Sequence, residues 1–96
     1  MDKEFLKEYD MVKRNYLELE KKIWELANYY KENPNEIIGK TIVDLCSIAK
    51  GQIMILRTLL PKIGDKKAQA NYESIFNEKE DDLFEIANGV IRNKQK

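Results

Sequence analysis

The sequence predicts an all-α protein: an antiparallel three-helix bundle running up, down, up, built from long helices with coiled-coil-like packing. Three observations predict it. Apolar residues recur at alternating steps of four and three along the first third of the chain, which includes YDMVKRNYLELEKKIWELANYY. Only two places carry strong helix-stopping signals, KENPNEII and LLPKIGDKKA. Those places divide the 96 residues into three segments of similar length, with connections short enough to force antiparallel neighbours.

The first helix is placed at residues 3–32. Phe5, Tyr9, Val12, Tyr16, Leu19, Ile23, Leu26 and Tyr30 form its seam without a miss, the repeat that holds one edge of a helix against a partner. Three of these positions carry phenols where Leu or Ile is usual. Asn33 is read as the N-cap of the second helix, Pro34 as its first residue and Glu36 as the reciprocal partner of the cap. That helix is placed at 34–60. Its apolar residues, Ile37, Ile48 and Ile55 among them, cover about half the circumference, wider than the roughly 100° stripe of a one-sided surface helix. This breadth predicts a central rod touching both others. Pro61 and Gly64 are read as ending it and Asp65 as capping the third helix. The third helix, at 66–93, repeats the seam through Tyr72, Phe76, Leu83, Ile86 and Val90. Residues 1–96 are read as one domain.

Composition argues against most catalysis. The chain has no histidine, so no Ser–His or Cys–His pair and no imidazole base exist. Its one cysteine, Cys46, falls on an apolar flank of the second helix, where a thiol is inert. A lone cysteine also makes no internal disulfide, which favours a reducing, cytoplasmic setting. The four glycines are scattered, so no phosphate-cradling loop forms. Seventeen basic residues balance seventeen acidic ones, leaving no basic stripe for nucleic acid. No apolar run is long enough to span a membrane, and the acidic start MDKEFLKEYD lacks a signal-peptide core. The run NEKEDDLFE crowds Glu78, Asp81, Asp82 and Glu85 together, and oxygen ligands suit Mg²⁺. The helical wheel sets these acids opposite the apolar stripe, which predicts a solvated face, no metal, no cofactor and no enzyme.

Two groups of residues remain for binding. Leu6, Leu17 and Trp24 form a second apolar stripe on the first helix, about 100° from the seam. Such a stripe is either the facet turned toward the third helix or a partner surface anchored by Trp24. The second group comes from register. With tight turns, facing residues have numbers summing to about 67 between the first two helices and about 127 between the last two. Tyr16 then lies level with Gln52, and both lie within a turn of Lys79. This polar layer is either a registry device or a pocket for a small nucleotide-like anion. Val43 and Met54, set among Gly39, Ser47 and Gly51, further predict homodimer contact on the second helix.

In size and helical pattern the chain resembles bacteriocin immunity proteins, phage-encoded inhibitors of host machinery, and plasmid or phage regulatory adaptors. It carries no diagnostic motif of these groups, so no residue role follows from the likeness. The resulting expectation is a non-enzymatic protein-binding module, a small regulator or inhibitor that forms a homodimer. The alternative is a small-ligand binder using Tyr16, Gln52 and Lys79.

Overall fold

In the computed structural model, residues 3–64 and 66–94 are described, with backbone only at Ile63, Ala68, Asn93 and Lys94. The described residues form three helices: α1 Lys3–Glu32, α2 Glu36–Ile63 and α3 Lys66–Lys94. The three-helix, all-α architecture stands as the sequence predicts. Helix α2 packs closely on both α1 and α3.

The heptad seam of α1 buries one of its two lines more deeply than the other. Tyr9, Tyr16, Ile23 and Tyr30 are buried, at strict seven-residue spacing, while Phe5, Val12, Leu19 and Leu26 are partly buried against the core. Helix α3 repeats this with Phe76, Leu83 and Val90. Helix α2 supplies the middle of the core through Ile42, Cys46, Ala49, Ile53, Leu56, Leu59 and Leu60. Ile23, Ile42 and Ile53 are fully buried, and each side chain of this size contributes about 2–3 kcal/mol by leaving water.

Both punctuation sites differ in detail from the sequence reading. The N-cap of α2 is Asn35, not Asn33: its Oδ1 accepts from the backbone N–H of Ile37 at 2.8 Å and of Ile38 at 3.3 Å. Asn33 instead finishes α1, its N–H donating to the Tyr29 carbonyl at 2.9 Å. Pro34 therefore lies before the helix, and Glu36 is its first residue rather than the far half of a capping box. Two asparagines flank Pro34, and the one left over after α1 closes does the capping.

At the other end, α2 runs through Pro61 to Ile63, and Pro61 forfeits only its own N–H bond in the last turn. Gly64 then donates to the Leu60 carbonyl at 3.1 Å from an extended backbone. Asp65, the expected cap of α3, lies outside the described residues.

The register between α1 and α2 agrees with expectation, since Lys62 lies over the Phe5 ring at 5.0 Å. Gly39 packs against Val90 of α3 and the Tyr30 ring of α1. Arg57 ties α2 to α3, donating to Glu73 at 2.7 Å and Asn77 at 2.6 Å and pairing with Glu80. Partial burial opposes its charge, but Glu80 and Glu73 outweigh that and hold the guanidinium above its ordinary pKa.

Candidate functional site

The backbones of α1 and α3 scarcely approach each other, although both lie against α2. What joins them is side chains. Tyr9 meets Tyr72 edge-on with ring centroids 6.4 Å apart, and Lys79 donates to Glu20 at 2.9 Å. An open cleft results, with the Glu20–Lys79 bridge near its middle. Toward the C-terminal ends of α1 and α3 lies a hollow of about 610 Å³, lined by Trp24, Tyr30 and Lys31 from α1 and by Asp82, Glu85, Ile86 and Arg92 from α3. On the other side lies a smaller one of about 150 Å³, walled by Tyr9, Tyr16, Ile53, Leu56, Tyr72 and Phe76, with Lys13, Leu17, Ile75 and Lys79 also lining it.

The second apolar stripe of α1 falls along this cleft. Leu17 lines the smaller hollow and Trp24 the larger, while Leu6 lines neither. Leu6, Leu17 and Trp24 keep 36%, 46% and 44% of their surface exposed. Leu17 and Trp24 border the cleft together with side chains of α3. These side chains are turned toward the third helix, and they stay uncovered because α3 does not close over them. Ile75 joins them from α3 and is also exposed.

The expected polar layer is present in level but not in connection. Tyr16 is buried and Gln52 partly so, and neither the Tyr16 hydroxyl nor Gln52 Oε1 has a hydrogen-bond partner among the described residues. Lys79 leans outward to Glu20, its ammonium 5.5 Å from the centroid of the Tyr16 ring, close enough for cation–π attraction. Burial pushes the Tyr16 hydroxyl well above the usual phenol range, and the nearby Glu20 carboxylate raises it further.

Tyr16 and Lys79 line the smaller hollow, whereas Gln52 does not. That hollow, of about 150 Å³, falls short of the roughly 300 Å³ at which ordinary ligand pockets begin. Glu20 was missed by sequence reasoning. The available signal was its place one helical turn beyond Tyr16, on the flank that carries Leu17 and Trp24.

Glu78, Asp81, Asp82 and Glu85 are all exposed, as the helical wheel predicts, and Asp82 and Glu85 also border the larger hollow with Trp24 and Ile86. Among the described residues no three acidic or cysteine side chains are grouped to hold a metal ion. Lys31 and Arg92 sit near the C-terminal ends of α1 and α3. There the negative helix ends account for two cations without any anionic ligand.

Cys46 is buried, and burial raises its thiol against a smaller lowering effect of Lys50. Gly39, one of the small residues expected to admit a second copy, is instead occupied within the chain by Val90 and Tyr30. Met54, Ser47 and Gly51 remain exposed. Ile37, Ile48 and Ile55 also remain exposed, Ile37 by 76%. The apolar breadth of α2 thus exceeds what its two neighbours cover.

Comparison with known proteins adds no relative. No family model, curated protein or solved structure matches the chain. Among the described residues no helix is long and apolar enough to cross a membrane.

Proposed function

We propose that this protein is a non-enzymatic binding module, a small regulator or inhibitor that receives an amphipathic helix of a partner protein in the cleft between α1 and α3. One observation carries the reading: Leu17 and Trp24 are turned into the cleft yet stay nearly half exposed. A fourth rod laid there converts a three-helix packing into a four-helix one, the ordinary way helices bury such a stripe. Trp24 is the type of residue that dominates interface energies. Asp82 and Glu85 line the same hollow as Trp24, which favours a Lys or Arg on the docking helix at that level, its cation over the indole and near a carboxylate. The lone buried thiol of Cys46 suits a reducing compartment such as the cytoplasm.

The test combines selection from a displayed library of amphipathic helices with sedimentation of the free protein. Selected helices are expected to carry an apolar seam with a basic residue, and Trp24→Ala is expected to weaken their binding at least tenfold, about 1.4 kcal/mol. A second copy of the chain is the other candidate occupant, and a wild-type dimer that Trp24→Ala dissociates would identify it. If Trp24→Ala lowers stability and leaves both binding and oligomeric state unchanged, the cleft is not an interface.

A further inference from the structure

An ion pair crosses the cleft between α1 and α3, and its position bears on how a helix would dock there. On α1, Glu20 lies between Leu17 and Trp24, about one turn from each. On α3, Lys79 lies between Ile75, which lines the smaller hollow, and Asp82, which lines the larger. Lys79 Nζ donates to Glu20 Oε2 at 2.9 Å, so the pair spans the cleft where the two hollows meet. A rod touching both Leu17 and Trp24 covers about 10 Å of α1 and must pass over this point.

The pair is only partly buried, with 27% of the Lys79 side chain and 24% of the Glu20 side chain exposed. A docked helix strips the remaining water from both charges. Complete desolvation of an ion pair commonly costs as much as its attraction returns, or more, whereas a partly exposed pair is released to water at small cost. Opening is the cheaper course. The backbones of α1 and α3 scarcely approach each other, and the Lys79 stem is long and flexible. The Tyr16 ring, 5.5 Å from the ammonium, is the second hold on Lys79, and it is given up when the stem swings out. The Tyr9–Tyr72 contact stands three turns back along α1 and stays in place.

We propose that the Glu20–Lys79 bridge is a clasp: it holds the two outer helices together in the free protein and is released as a helix docks, the two hollows then joining into one groove. The inference rests on the reading of the cleft as a docking site.

The probe is the tightest-binding helix from the displayed library, made as a synthetic peptide and titrated into the full chain. Glu20→Gln and Lys79→Met nearly keep the length of each side chain and remove its charge. With the clasp already open, docking no longer competes with it, and each variant is expected to bind the peptide about threefold to fivefold tighter than the wild type. Glu20→Lys combined with Lys79→Glu rebuilds the pair in reverse and should return the affinity to within about twofold of the wild type. In the free protein, Lys21→Cys and Asp81→Cys, both at exposed positions, carry spin labels across the cleft. The label distance should lengthen and broaden in the two single variants and return in the exchange variant. Peptide binding that neither single variant tightens overturns the clasp and leaves docking standing, as does an exchange variant that behaves like the single ones. A label distance unchanged by both single variants overturns it as well. If no library helix binds the wild type or the opened variants, the docking reading fails and the clasp fails with it.

Discussion

Tyr16 carries a buried hydroxyl that makes no hydrogen bond of ordinary geometry, although the Glu20 carboxylate stands near enough to hold its proton on. Its ring is useful, since it fills the α1 seam and takes the Lys79 ammonium on its face, but its oxygen and Gln52 Oε1 are both buried without a partner among the described residues. An unpaired buried polar group carries its full desolvation cost, about 1–3 kcal/mol, whereas the same shape without the polar atom carries none. Tyr16→Phe keeps the ring, the packing and the cation–π contact. It is therefore expected to leave stability unchanged or raise it by about 1 kcal/mol, read as the urea midpoint at constant slope. A loss of comparable size would mean that the hydroxyl is bonded, with the Glu20 carboxylate as acceptor. The sequence showed that three polar side chains share a level. It did not show that they fail to meet, because the long Lys79 stem settles where an ion pair is available, and Glu20 on α1 supplies it.

Helix α2 holds two glycines in different surroundings. A Cβ at Gly39 would stand 3.0 Å from Val90 Cγ1 and 3.2 Å from the Tyr30 ring, while one at Gly51 on the same helix meets nothing within 4 Å. Replacing glycine by alanine inside a helix contributes about 1 kcal/mol through backbone entropy. At Gly51 that gain is unopposed, and Gly51→Ala is expected to stabilise the protein by about 0.5–1 kcal/mol. At Gly39 the added methyl pushes on two well-packed side chains, with an overpacking cost of about 1–3 kcal/mol that outweighs the gain. Thermal unfolding of the two variants should shift in opposite directions. A stabilising Gly39→Ala would mean that α3 is free to move outward from α2. The helical pattern told which glycines lie inside helices, but not which one faces a neighbour, since Gly39 was grouped with Gly51 on the outer side. Helix boundaries were legible to within three residues. The cap was displaced because Asn33 and Asn35 are chemically alike, and only the closing bond from Asn33 to Tyr29 chooses between them.

At the scale of the whole molecule, the open cleft is the feature least visible in the sequence. Heptad seams fix which edges of α1 and α3 lie on α2, but the distance between the outer two depends on how each leans, and Leu17 and Trp24 read the same whether covered or not. The core itself was legible, phenols included, and those phenols have a consequence for stability. Burial raises the pKa of the Tyr9 and Tyr16 hydroxyls and of the Cys46 thiol above their ordinary values of 10.0 and 9.0. An acid with a raised folded-state pKa keeps its proton in the native chain after the unfolded chain has released its own. The stability it confers is full below the unfolded pKa and is lost as pH climbs from there through the folded value. Urea unfolding measured from about pH 7.5 to about pH 11 should therefore show a plateau, then a decline that begins near the thiol's ordinary pKa and steepens above that of the phenols. Cys46→Ala should remove the first part of the decline and Tyr16→Phe should flatten the second, with no effect of either on the shape of the curve below about pH 8. Stability that holds constant across that whole range would mean that these groups ionise as readily in the folded chain as in the unfolded one, against the burial of Tyr9, Tyr16 and Cys46.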